Sequence, residues 1–290
     1  FAYPGVVYRN DFTAGTGTVI NLGLLQKSSG GTTIFNSGVS LQNSGIIDVQ
    51  NGALLVNSNS TNTGGTNMTG LSAHFGVGAP GSFSLQNGTV IGGVGEFVVN
   101  GGNLALLTTG PIMIPNLELD LGGSIQGPVD LIVNNFLWAS GSMSGGGMTR
   151  IDGTLLIEGA GAVLNNRILA NNGSAIWRGP GMIELSNDGR IQNGAGRLFE
   201  IQNDSSIFYG LGTVGRIDND GIFRKTGGTG TTTISSLPFH NNGAVEIQSG
   251  VLSVSGVGST AGSHDIGAAA KLVMAGSYTV NNGATFTGSG

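Results

Sequence analysis

The chain has 290 residues, of which 55 are glycine, 7 proline and none cysteine; 39% are hydrophobic, 9% charged, and the formal net charge is −5. Disordered low-complexity chains are polar or highly charged, so this composition points to a folded chain whose turns use glycine. The few lysines and arginines are scattered, leaving no basic stripe for nucleic acid; no run of about 18 apolar residues offers a membrane helix, and no disulfide or thiolate zinc site can form.

Residues 1–23 differ from the rest of the chain. Phe1-Ala-Tyr-Pro-Gly-Val-Val-Tyr-Arg-Asn-Asp-Phe12 is rich in aromatic and β-branched residues and lacks Asn-Gly punctuation. An extended strand is expected there, either opening a solenoid or adding to another sheet. A start at Phe1 instead of Met reads as a mature end left by signal-peptide removal, or as a fragment.

From Leu24 to residue 290 the chain is a series of short β runs, among them Ile46–Val49, Ala53–Val56, Glu96–Val99, Leu117–Leu121, Leu155–Ile157 and Ala175–Trp177. Asn-Gly, Asn-Asn-Gly, Gly-Gly or Ser-Gly separates them, and these residues are expected to supply the positive φ of sharp corners. Apolar and polar residues alternate within most runs, so one face is buried and the other wet. No sustained helical periodicity exists, so almost no helix is expected. Asn57–Pro80 and Gly256–Lys271, rich in Ser, Thr, Asn and Gly, read as the longest irregular stretches.

Part of the chain is written twice. Gly45-Ile-Ile-Asp-Val-Gln-Asn-Gly-Ala-Leu-Leu-Val56 returns 198 residues later as Gly243-Ala-Val-Glu-Ile-Gln-Ser-Gly-Val-Leu-Ser-Val254, and Leu24–Lys27 matches Ile222–Lys225 at the same interval. Gly81–Gly88 matches Gly276–Gly283 at an interval of 195, so about 24–95 is repeated as about 222–290. A long repeat of short strands suits an all-β single-stranded parallel β-helix, a β-solenoid, of about a dozen coils at roughly 20 residues each. A sandwich of hairpins would use similar runs but would bring longer strands and no tandem copy.

Trp138-Ala-Ser-Gly-Ser-Met-Ser-Gly-Gly-Gly, Phe199-Glu-Ile-Gln-Asn-Asp204, Phe223 to Ile234 and Val245 to Val254 resemble the Gly/Asn-rich repeats of bacterial surface and secreted proteins. More distantly they are similar to filamentous-haemagglutinin and autotransporter passenger β-helices. The resemblance covers about residues 24–290 and implies an extracellular, right-handed parallel β-helix serving as scaffold or adhesin, with no catalytic residues carried over.

Candidate chemistry is sparse. His74, His240 and His264 are isolated, and His240, whose counterpart in the first copy is Gln42, reads as a solvated turn residue. Asp48 and Glu246 are equivalent outward strand positions. Glu118 and Asp120 project from one strand face, as a glycosidase pair or Ca²⁺ ligands would, although a wet strand face is the plainer reading. Asp218-Asn-Asp220-Gly resembles a Ca²⁺ loop but lacks the downstream acid of an EF-hand. Gly92–Gly95 and Gly145–Gly147 read as coil corners, and Trp138, Trp177 and the phenylalanines as interior packing. No cofactor is expected.

The ends carry the sharpest expectation. After Thr285-Phe-Thr-Gly-Ser-Gly290 the second copy has no counterpart of Glu96–Gly102, while residues 1–12 offer a strand without an obvious mate. Phe1, Tyr3, Val6, Val7, Tyr8 and Phe12 are therefore expected to meet Tyr278, Val280 and Phe286 of another copy by strand addition, a contact that does not close and builds a filament. The alternatives are a local cap by residues 1–12, a monomeric adhesin that contacts glycans or matrix, and a polysaccharide-cleaving enzyme.

Overall fold

The computed structural model describes residues 6–7 and 17–290. Among these residues there are strands, turns and bends, and no helix. Short strands pair in parallel with strands one coil away, giving a parallel β-solenoid of about 13 turns. The chain forms two compact units, Phe1–Phe136 and Leu137–Gly290.

In the first unit the strands fall into three columns. The first column stacks Gly17–Asn21, Val39–Asn43, Asn59–Asn62, Ser82–Leu85 and Asn103–Leu106. The second stacks Leu24–Lys27, Ile46–Val49, Gly65–Met68 and Val90–Gly93. The third stacks Val6–Val7, Thr32–Phe35, Gly52–Val56, Ala73–Gly78 and Glu96–Asn100. Strand pairing thus begins on the N-terminal side of Leu24.

The second unit has the same three columns. Its 18-residue strand Met148–Asn165 contributes to all of them, pairing in turn with Ile168–Asn171, Ser174–Trp177 and Ile183–Ser186. The first column then runs through Arg190–Asn193, Arg216–Asn219, Phe239–Asn241 and Gly258–Thr260 to Tyr278–Val280. The second runs through Leu198–Ile201, Ile222–Lys225, Ala244–Ile247 and Ser263–Ile266 to Thr285–Gly288. The third ends with Gly250–Val254 and Ala270–Met274. The written repeat is realised strand for strand: Leu24–Lys27 and Ile222–Lys225 lie in second columns, Ser82–Leu85 and Tyr278–Val280 in first columns.

Alternation places most of the large apolar residues inside. Phe199 and Phe223 stack in consecutive coils with centroids 5.2 Å apart, and Trp138 and Trp177 are fully buried. Each such side chain contributes about 1.5–3 kcal/mol by leaving water.

The two stretches expected to be irregular are instead coils. They contain Asn59–Asn62, Gly65–Met68 and Ala73–Gly78 in one case, and Gly258–Thr260 and Ser263–Ile266 in the other. Their polar composition misleads because some of it faces inward: Ser60, Asn62, Thr66 and Thr260 are all buried.

The asparagines of Asn-x-Gly also play a different part from the expected one. Among the described asparagines only Asn166 and Asn187 have positive φ. Asn21, Asn43 and Asn62 point inward and form a ladder, each Nδ2 donating to the next Oδ1 at 2.7 and 2.6 Å across intervals of 22 and 19 residues. In the second unit Asn171, Asn193, Asn219 and Asn241 repeat the ladder at 2.8, 2.7 and 2.7 Å, and Asn241 passes it to Thr260 Oγ1 at 3.1 Å. Asparagine is suited to this because its amide donates and accepts in opposite directions, so identical rungs satisfy one another. The following glycine is required by close approach: a Cβ on Gly45, Gly64, Gly243 or Gly262 would collide with the carbonyl oxygen of the corner glycine one coil earlier.

Candidate functional site at the open last coil

The last coil of the second unit comprises Ala270–Met274, Tyr278–Val280 and Thr285–Gly288. By strand parity Tyr278, Val280 and Phe286 belong to the inward set, yet Val280 is 55% and Phe286 47% exposed. The Tyr278 ring lies over Gly258, and burial raises its pKa. The Phe286 ring stacks on His264 at 4.4 Å with an interplanar angle of 9°.

The first unit shows the same positions in a covered state. Phe83, Leu85 and Ile91, the repeat equivalents of Tyr278, Val280 and Phe286, are 0%, 0% and 6% exposed. Leu104 and Leu106 of the next coil lie in register on Phe83 and Leu85. The coil sequence therefore suits burial under a further coil.

His264 occupies an otherwise apolar file, in register with Val245 on one side and Phe286 on the other. It is 1% exposed, and desolvation lowers its pKa, opposed by a hydrogen bond to the Thr285 backbone. Among the described residues its Nδ1 has no partner.

The other expected interface residues divide in two. Val6 and Val7 form a strand in register with Ile34 and Phe35 of their own chain, so that strand opens the third column. Phe1, Tyr3, Tyr8 and Phe12 lie outside the described residues.

Glu118 and Asp120 both point outward from the strand Ile112–Asp120. Burial raises the Glu118 pKa, and the charges of Glu96 and Asp120 add to that, while His74 opposes it. His74 Nδ1 itself lies 3.3 Å from Glu96 Oε2. Glu118 thus holds its proton more firmly than an isolated carboxyl. Among the described residues no group of three or more His, Asp or Glu side chains is placed to hold a metal ion.

His240 is on the strand Phe239–Asn241, not in a turn, because its ring takes the outward position while Phe239 and Asn241 point in. Its Nδ1 is 2.9 Å from Ser259 Oγ, and it lies in register with Asp218. Beside it runs a groove of about 350 Å³. Ala170 and Gly194 leave it hollow, and Asn172, Gln192, Arg216, Asp218 and Asp220 line it. Arg216 Nε donates to Asp218 Oδ2 at 2.8 Å, and Asn242 Nδ2 donates to Asp220 Oδ1 at 2.9 Å. Fixed carboxylates beside amide and guanidinium donors can bind hydroxyl groups.

Comparisons with protein-family models, curated proteins and solved structures find no match.

Among the described residues three buried cations escape a reading of the sequence. Lys225 Nζ is enclosed by Asn203 O at 2.6 Å, Asp204 Oδ1 and Gly227 O at 2.8 Å, and Thr232 Oγ1 at 3.1 Å. Its hydrogen bond lowers the Asp204 pKa. Lys27, the repeat equivalent, turns back on Ser29 O and Ser29 Oγ, and burial lowers its pKa. Arg167 Nε donates to Thr149 Oγ1 at 2.8 Å. The sequence does carry a signal for the lysines: both share the inward parity of Leu25 and Phe223, two residues earlier. A buried charge persists only where fixed oxygens replace its water, as they do here.

Proposed function

We propose that this chain is a structural subunit of an extracellular bacterial filament, in which solenoids join head to tail by coil-on-coil strand addition. This rests on one observation: Val280 and Phe286 are exposed, whereas their repeat equivalents Leu85 and Ile91 are buried. The order of strands agrees with it. The last coil runs through columns three, one and two in that order, and Val6–Val7, Gly17–Asn21 and Leu24–Lys27 present the same order. Covering an apolar coil and pairing three strand edges supplies both hydrophobic and hydrogen-bonding stabilisation. The extracellular setting follows from the resemblance to secreted repeat proteins.

Electron microscopy and sedimentation of the purified chain test this. Filaments are expected from the unaltered chain, and single particles from Val280→Lys with Phe286→Lys. Single particles from the unaltered chain at every concentration would remove the homopolymer, leaving a further coil of a longer polypeptide as the cover.

A second reading has its own observation, the groove beside Asp218. Its two carboxylates against one already paired arginine disfavour an anion, and its mixed donors and acceptors suit a neutral saccharide. In the first copy the equivalents of Asp218 and Asp220 are Ile20 and Leu22, both exposed, so the coil does not itself demand acids there. A glycan array probed with the chain and with Gln192→Ala plus Asp220→Ala tests it; equal signals from both would reject it.

A further inference from the structure

Granting the head-to-tail reading, we infer that the joint has one register, in which Asn21 of the incoming copy lies on Val280, Leu25 on Phe286 and Val19 on Tyr278. The inference follows from how each column keeps its register. In the first column of the first unit, Asn21, Asn43, Asn62, Leu85 and Leu106 succeed one another as rungs. Thr260 and Val280 continue the same rung position in the second unit, since Thr260 is the repeat equivalent of Asn62. In the second column Leu25, Ile47, Thr66 and Ile91 succeed one another, and His264 and Phe286 are the equivalents of the last two. A one-residue slip of an added strand would turn its inward set outward, and a two-residue slip would take Asn21 and Leu25 off the rung positions that their columns keep from coil to coil.

The structure holds a precedent for the least obvious contact, asparagine on an aliphatic residue. Asn171 is the first rung of its ladder and lies in register on Ile151. Its Oδ1 accepts from Gly173 N at 3.2 Å, so it asks no polar partner of the coil below. Asn21 is built the same way, its Oδ1 accepting from Gly23 N at 3.3 Å. Val280 can therefore take the place beneath Asn21 that Ile151 takes beneath Asn171. The inward neighbours suit each other as well: Val19 and Leu25 are only half-buried, and they would cover Tyr278 and Phe286.

The corner gives a second, independent sign. Gly45 and Gly64 are glycines because the preceding corner backbone leaves no room for a Cβ. Gly23 heads the same column, does not have positive φ, and has no described atom within 4 Å of where its Cβ would be. Within the described chain nothing requires glycine there. A preceding coil from another copy would.

Cysteine pairs read the register directly, because the chain has no cysteine of its own. Ile20 and Thr279 point outward and become neighbours across the joint, about 4.8 Å apart by strand spacing, within the Cα range that a disulfide spans. Ile20→Cys with Thr279→Cys is assembled, oxidised and run on a non-reducing gel beside Ile20→Cys with Ser277→Cys, which reports a two-residue slip. A ladder of covalent multimers from the first pair and none from the second is expected. Filaments that form but cross-link only through the second pair, or through neither, overturn the register and leave the head-to-tail reading standing. No filaments and no ladder from any version overturn both.

Discussion

Replacing Asn219 by alanine should unfold the second unit far more readily than any surface change of similar size. Asn219 is fully buried, and its Nδ2 donates to Asn241 Oδ1 at 2.7 Å and to Ala244 O at 3.0 Å. Its Oδ1 accepts from Asn193 Nδ2 at 2.7 Å. Alanine removes both donations and a longer one to Gly221 O at 3.3 Å, an oxygen that keeps Ala244 N, whereas Asn193 Nδ2 keeps Arg197 O and Ile222 O. Two buried acceptors thus lose their donor at roughly 1–3 kcal/mol each, for a total of about 2–6 kcal/mol. Trp138 and Trp177 both lie in Leu137–Gly290, so tryptophan fluorescence in a urea titration reports this unit. Asn242→Ala, one residue beyond the rung and exposed, is the control, expected within about 0.5 kcal/mol. A loss below about 1 kcal/mol for Asn219→Ala, or one equal to the control, would refute the ladder as a source of stability.

Lys225→Met should cost about 2–4 kcal/mol in the same titration, at the low end for a broken buried pair because Asp204 remains partly exposed; a neutral result would mean the oxygens around Nζ are rehydrated without penalty. His264 gives a pH dependence. Its folded pKa lies below the ordinary 6.5, so the stability of its neutral form is complete above about pH 6.5 and is lost as pH falls toward the folded value. The fluorescence midpoint should therefore drop between about pH 7 and 5, and His264→Thr, the residue at the equivalent Thr66, should flatten that slope; an unchanged slope would assign the acid sensitivity elsewhere. Gly243→Ala should destabilise the isolated chain by about 1–3 kcal/mol, since its Cβ meets the Gly221 carbonyl. Gly23→Ala should leave the isolated chain intact and suppress assembly, and normal filaments from it would exclude a coil stacked on that corner.

Much of the architecture is legible in the sequence. Period-2 alternation marks strands, and the duplicate of Gly45–Val56 at Gly243–Val254 marks a stacked architecture, since equivalent segments must find equivalent neighbours. The interior role of Trp138, Trp177 and most phenylalanines follows from the same alternation. Less of the site is legible. Tyr278, Val280 and Phe286 can be named from sequence as an unpartnered strand set, but only the contrast with buried Phe83, Leu85 and Ile91 gives that set physical weight. His240 reads as a turn residue because Asn-Asn-Gly comes directly after it, although its own backbone is still strand.

Local chemistry decides what a short segment can be. The alternation of Ala244–Ile247 therefore settles strand and inward face by itself, and its duplicate Ile46–Val49 adds the stacking. Tertiary structure decided which residues meet. Ladder partners lie 19, 22 or 26 residues apart because corners differ in length, so no fixed period in the chain announces that Asn193 will meet Asn219. An asparagine next to a glycine looks the same in sequence whether it bends the backbone or bonds its own image one coil away. Only the stacking of coils, which brings the like amide to within 2.7 Å and the corner carbonyl against the glycine, selects the second role.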